Sequence, residues 1–289
     1  QAPVVPGADV STLKSSATVY VCNVETDAFL TSGMTWNTNA CAVRLVNGDS
    51  KASSTQACNV LVSSGQVRIR LTDYSSYFIS CLSGDANNFY VDQNSGQYFT
   101  YEEDAAHPRT YTLTNTTYHL PLDVTWAYGG HVTLIGGGGH TRWAFIPADS
   151  ITSGAWARYK ARTRLYAVAQ AVERSAAANS YATALSEAHK VYADGKASVA
   201  ALQAASTALF TACCAAIQEP LDVSFLFKNA DMQGVASAAD WTSTGVTFGS
   251  GEFEKYHATL TLKQTARVPA GLYDVVFHAL DRNDGGTVP

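Results

Sequence analysis

At 289 residues the chain is too long for one ordinary compact domain and long enough for two or three. Charged residues make up 15% and aromatics 11%, against a charged share of about 25% in typical soluble domains; a disordered chain would be richer in charge and poorer in aromatics. The net charge of −5 argues against a nucleic-acid partner, which selects for a basic face, and no run reaches the 18 or so apolar residues of a membrane span.

Residues 1–18 read as a linker, with Pro3, Pro6 and Gly7 followed by a Ser/Thr-rich run. The initial Gln1 fits a mature N-terminus after signal cleavage and fits an arbitrary boundary equally well. From Val19 to about Ala148 short stretches of Val, Ile, Thr, Tyr and Phe alternate with Gly, Asn and Asp turns, which predicts strands. A weak threefold repeat runs through this region. Val19–Asn23 is followed by Phe29 and Leu30, Arg68–Thr72 by Tyr77–Ile79, and Arg109–Leu113 by Tyr118–Leu120, each read as a strand, a polar tip and a second strand. Three such units suggest a β-trefoil over residues 19–150, closed by Arg142–Ile146 before Pro147.

The stretch VYVCNVETDAFLTSGMTWNTNACAVRL resembles the opening of trefoil-like, ricin-B-resembling modules of secreted Bacteroidetes proteins. Tyr20, Asn23, Thr26, Phe29, Leu30, Gly33 and Trp36 carry the likeness, while the Q-x-W signatures of ricin-type lectins are missing. The six cysteines show no C-x-x-C zinc spacing. Cys22, Cys41, Cys58 and Cys81 lie in the strand-rich part, where one or two disulfides are expected in an oxidising compartment. The adjacent Cys213 and Cys214 read as small buried residues.

Residues 151–218 change to Ala, Leu, Lys, Arg and Glu without proline between Ile151 and Glu219. The i, i+3, i+4 spacing of apolar residues predicts two or three helices, with a turn at Asp194-Gly195 and a cap at Ser198. SYATALSEAHKVYADGKASVAALQAASTALFTA is similar to the helical FIVAR spacers of bacterial surface proteins, which implies a spacer role.

Beyond Pro220 the pattern returns to strands. Phe227, Asn229, Asp231, Met232, Trp241, Phe253, Glu254, Tyr256, Gln264 and the Val268–Tyr273 turn resemble a galactose-binding-like carbohydrate-binding jelly roll. That resemblance implies a structural Ca2+ site using Asn229 and Asp231. It also implies that residues 219–289 are the first half of a sandwich, so the sequence is expected to belong to a longer protein. The expected architecture is therefore multi-domain and mainly β: a β-trefoil, a helical bundle and a partial β-sandwich.

Signals for catalysis are poor. The glycine run 136–139 lacks the G-K-[ST] ending of a phosphate loop. His131 and His140 flank it without a carboxylate or third histidine. Glu102-Glu103-Asp104 reads as a solvated turn, and no G-x-S-x-G or H-E-x-x-H occurs. Sugar binding asks for an aromatic face against the pyranose ring, with amides or carboxylates to hold the hydroxyls. The repeats offer such sets beside turn-rich segments: Trp36 with Asn37, Tyr90 with Asp92, and Trp126 with Tyr128 and His131, while Trp241 and Tyr256 serve near the C-terminus. The expected function is non-catalytic glycan or glycoprotein binding by a secreted or cell-surface bacterial protein, with no cofactor beyond Ca2+. The alternative is a structural or adhesive subunit, a homo-oligomer or surface complex in which the β domains make protein contacts.

Overall fold

A computed structural model describes residues 1–32, 40–43, 56–81, 88–92, 96–125, 131–134, 139–174, 181–216, 224–227, 241–243, 247–249, 252–254, 261–266 and 275. The first strands in chain order are β1 (Thr18–Asn23), β2 (Ala28–Ser32), β3 (Ala40–Val43), β4 (Ala57–Ser63), β5 (Gln66–Leu71) and β6 (Ser80–Cys81). They are followed by β7 (Phe89–Tyr90), β8 (Phe99–Glu103), β9 (Tyr111–Asn115), β10 (Asp123–Thr125), β11 (His131–Thr133) and β12 (Arg142–Pro147). Six of them close a ring in the order β1, β12, β9, β8, β5, β4 and back to β1. The closure is made by β1, which sets Val19 opposite Pro147 of β12 and opposite Cys58 of β4. The other six form the hairpins β2–β3, β6–β7 and β10–β11, and β11 meets β3 where His131 faces Cys41.

Side-chain alternation explains the ring. In β5 the odd residues Val67, Ile69 and Leu71 are buried and Gln66, Arg68 and Arg70 point outward, the period of a strand wet on one face. In β1 and β12 both faces are apolar and buried. Val19, Val21, Trp143 and Phe145 fill the ring, whereas Tyr20, Cys22, Ala144 and Ile146 form a second layer with Phe29, Ile151 and Trp156. The continuous apolar runs of these two strands mark the wall that the helices cover.

The nine-residue spacing places the second strand of each repeat well only in the first. Phe29 lies in β2, but Tyr77–Ile79 precede β6 and Tyr118–Leu120 precede β10. In the second unit a 3-10 turn at Thr72–Tyr74 intervenes, and the Tyr77 N–H donates to Tyr74 O. In the third, the Leu122 N–H donates to Leu113 O and starts the hairpin after Pro121. The stretch 1–18 lies along the ring: the Ala8 N–H donates to Phe145 O, and Val10 is fully buried in the ring core. A linker-like composition does not keep it off the domain.

The helices are α1 (Ala148–Thr152), α2 (Ala155–Arg174), α3 (Ala182–Ala193) and α4 (Val199–Ala216). The last three share a core of Leu165, Val168, Val172, Leu202, Leu209 and Phe210, and Ser198 Oγ caps α4 by accepting the Ala201 N–H. Trp156, at the start of α2, packs against the strands and not among the helices: its ring meets Phe29 edge-on at 5.3 Å. Lys160 pairs with Asp27 beside it. Beyond Leu226 the described residues contain two short ladders. β13 (Thr242–Ser243) pairs with β16 (Leu262–Lys263), and β14 (Thr247–Gly249) pairs with β15 (Glu252–Glu254). These ladders do not define a sandwich.

The expected disulfides are not seen at these positions: Cys22, Cys58, Cys81 and Cys213 are buried and none is bridged to another cysteine. The alternation of β1 separates the first two, because Cys22 faces the helix-covered layer and Cys58 faces the ring interior. Burial pushes the Cys58 thiol up to about 12 and raises Cys22 as well, with Asp27 adding to the effect.

Three outcomes follow from this packing. Trp156→Ala should cost ~3–5 kcal/mol in denaturant unfolding, and Trp156→Phe much less. Iodoacetamide at pH 8.5 should leave these four of the six thiols unlabelled in the folded protein and label all six once it is unfolded. Because the folded state keeps the Cys58 proton where the unfolded thiol loses it, stability is whole below about pH 9 and falls toward pH 12. Cys58→Val should make that fall shallower.

Candidate ligand-binding site

Only part of the expected aromatic and polar sets falls on described residues. Trp36, Asn37, Trp126 and Tyr128, together with Asn229, Asp231 and Tyr256, lie outside the described residues. His131 is the first residue of β11, opposite Thr125 and Cys41, and Trp241 is half-buried just before β13. The set described with its side chains is that of the second hairpin, Tyr90 and Asp92.

The β6–β7 ladder positions this set by pairing Ser80 with Tyr90 and Cys81 with Phe89. Phe89 points inward, buried against Phe99 at 6.0 Å, so the pleat turns the half-buried Tyr90 to the other face. Asp92 follows two residues later, half-buried, with Oδ1 shielded from solvent and lacking any hydrogen-bond partner. A buried carboxylate oxygen without a donor costs about 1–3 kcal/mol or more. Folded proteins retain few such groups.

The neighbouring buried polar groups are, by contrast, satisfied. Asn115, fully buried at the end of β9, donates from Nδ2 to Gln97 Oε1 at 2.9 Å and accepts the N–H groups of Thr117 and Tyr118. Gln97 Oε1 also accepts the Cys81 N–H, which ties the second hairpin to the third unit. Asn23 does the same work in the first unit, donating to His140 O and accepting from the Thr26 N–H and hydroxyl. Asp123, buried in β10, accepts the N–H groups of Val124, Gly139 and His140. Sequence reasoning missed the Asn115 and Asp123 anchors. The only available signal was the match between Asn23 and Asn115 at the ends of the first strands of their units.

Two short sequence matches to glycosylation motifs, N-x-T at Asn115 and D-[ST]-apolar at Asp149-Ser150-Ile151, fall on hydrogen-bonded side chains. Asn115 heads an N-x-T sequon, but its amide is fully buried and bonded. Ser150, in the Asp149-Ser150-Ile151 motif, sits in α1 with its hydroxyl donating to Pro6 O. Among the described residues no group of three His, Cys, Asp or Glu side chains could hold a metal ion, and no helix is long and apolar enough to cross a membrane.

Solved structures similar to this chain include SeviL bound to asialo-GM1 saccharide, at 15% identity over 46% of this chain and 98% of that one, with a TM-score of 0.35. A Macrolepiota procera ricin B-like lectin in complex with lactose is similar at 12% identity over 46% of this chain and 97% of that one, with a TM-score of 0.36. No family model and no curated protein matches the chain.

Asn115→Ala should lower unfolding stability by about 1–3 kcal/mol, because it leaves the N–H groups of Thr117 and Tyr118 without their acceptor.

Proposed function

We propose that this protein binds glycans without acting on them chemically, through a β-trefoil carrying its ligand site on a hairpin. The trefoil reading is supported by the connectivity: in each of three successive four-strand units, the first and last strands enter the ring and the middle two form a hairpin. The observation that carries the function is the half-buried Tyr90, turned away from the core by the pleat, two residues before the half-buried Asp92, whose Oδ1 has no partner. An aromatic ring offers the apolar face of a pyranose a stacking surface, and a carboxylate oxygen without a donor takes a sugar hydroxyl at little further desolvation cost.

In this reading residues 151–218 are a helical spacer and residues 219–289 belong to a further carbohydrate-binding module. The whole serves as a secreted or surface-exposed accessory region of a larger bacterial polysaccharide-processing protein of the Bacteroidetes type. The reading requires no cofactor, and the Ca2+ ion that the family resemblance implies for Asn229 and Asp231 plays no part in it.

Affinity gel electrophoresis through a panel of polysaccharides, backed by a glycan array, tests the proposal. At least one glycan should retard the protein, and Asp92→Ala should weaken that binding by about tenfold or more, the worth of a hydrogen bond to a charged acceptor. Its melting temperature should not fall and should rise slightly, because the substitution removes a buried oxygen without a donor. Absence of retardation by every glycan sinks the proposal. Full binding by a folded Asp92→Ala moves the site off this hairpin.

A further inference from the structure

The outer face of the second unit holds a feature that the glycan reading alone does not require. The register of β4 against β5 sets Leu61 opposite Arg68. The register of β5 against β8 sets Val67 opposite Phe99, which brings Tyr98 beside Arg68. Leu61, Arg68 and Tyr98 therefore form one row across the outside of the ring. The Arg68 guanidinium lies 3.9 Å from the Phe78 ring centre and 4.8 Å from that of Tyr98. Arg70 lies 5.4 Å from Phe78 and donates from Nη1 to Ser75 O at 2.7 Å.

This aromatic frame is held before any ligand arrives. The Ile79 N–H, next to Phe78, donates to Ile69 O, and the Gln97 N–H donates to Ile79 O. Gly96 packs its backbone directly on Phe78: a Cβ there would stand 2.1 Å from Phe78 Cβ, and its φ of +85° is in glycine's territory. Tyr98 O accepts both the N–H and the hydroxyl of Thr116. The rings remain open to solvent nonetheless, with Tyr77 and Tyr98 each 41% exposed and Leu61 37%.

The charge on this platform is unmatched. Neither Arg68 nor Arg70 forms an ion pair with a described residue, and Arg68 Nε is buried without an acceptor. Ring faces attract a guanidinium but leave its in-plane N–H groups free, and those N–H groups form a planar fork that matches a carboxylate. The whole chain carries −5, so its net charge does not favour a polyanion and binding of one needs a local cationic site.

We infer that the Arg68 platform is a second glycan subsite, selective for saccharides bearing a carboxylate, with the fork of Arg68 taking the carboxylate and the exposed ring of Tyr98 taking the sugar face. The inference rests on the glycan-binding reading and adds a ligand class to it.

The test uses polysaccharides that differ only in charge. Wild-type protein is run in affinity electrophoresis and titration calorimetry against polygalacturonate, its fully methyl-esterified form, polysialate and dextran sulfate. Retardation by polygalacturonate or polysialate, and not by the methyl ester, is expected; the responding polymer tells whether the carboxylate belongs to a uronic or a ulosonic acid. Arg68→Gln should weaken that binding by about tenfold or more, and Arg68→Lys should restore only part of it. Binding of neutral glycans through Asp92 should be unchanged in both. Should Arg68→Gln fail to fold, Tyr98→Leu serves in its place and should also weaken acidic binding.

Equal retardation by the methyl ester overturns the inference. So does acidic binding that a folded Arg68→Gln retains, or retention by dextran sulfate alone, which reports unspecific charge. If only neutral glycans bind, the carboxylate subsite fails and the glycan reading stands. If nothing binds, both fail.

Discussion

The double pairing of β1 is the constraint on which the rest of this structure depends. By bonding to β12 on one edge and β4 on the other, it joins the chain's early and late halves and leaves the six-strand ring without a free edge. A closed ring removes the unpaired N–H and C=O groups that invite aggregation. It also forces alternate residues inward, where Val19, Val21, Ile69, Leu71, Leu113 and Phe145 share one core. The hairpins then have no choice but to stand at one end of the ring, joined by polar turns. The buried amides of Asn23 and Asn115 and the carboxylate of Asp123 tie those turns down.

The same closure sorts the outer surface into two sectors. Where β1 and β12 pass under α1 and α2, the outward residues are Tyr20, Cys22, Ala144 and Ile146, and they become a second core around Trp156. Where β5 and β8 face water, the outward residues are Arg68, Arg70 and Thr100. Helix cover therefore makes one side of the ring structural and leaves the other for contact with partners. Both proposed subsites, at Asp92 and at Arg68, belong to the second unit, the one that carries the open sector. They differ in kind: the hairpin holds an acceptor without a donor at Asp92 Oδ1, and the platform holds a donor without an acceptor at Arg68 Nε. Both arrangements leave binding energy unspent within the fold.

Much of the fold was legible in the residue pattern. The first strands of all three units, the closing strand before Pro147 and the helix cap at Ser198 follow from alternation and capping chemistry that act over a few residues. The second strands of the later units were not legible. Tyr77 and Tyr118 look like strand aromatics, but the turn at Thr72–Tyr74 and the proline at 121 shift the hairpins onward. The disulfide expectation failed for a related reason: cysteine counts ignore which face of a strand each thiol occupies, and Cys22 and Cys58 lie on opposite faces. Of the candidate site, Tyr90 and Asp92 could be named from residue type and turn context. That Asp92 holds an unpaired oxygen could not, because hydrogen-bond partners come from distant segments.

The sequence by itself determined the first strand of each unit, the closing strand and the helical region, since these depend on periods of 2 and 3.6 residues carried in the chain. Only the tertiary structure decided what the faces of those elements meet. The ring is closed by residues 18–23 pairing with residues 142–147, Phe29 meets Trp156, and Arg68 sits between Phe78 and Tyr98. Such contacts follow from register and closure, which join residues far apart in the chain and leave no periodic trace in it.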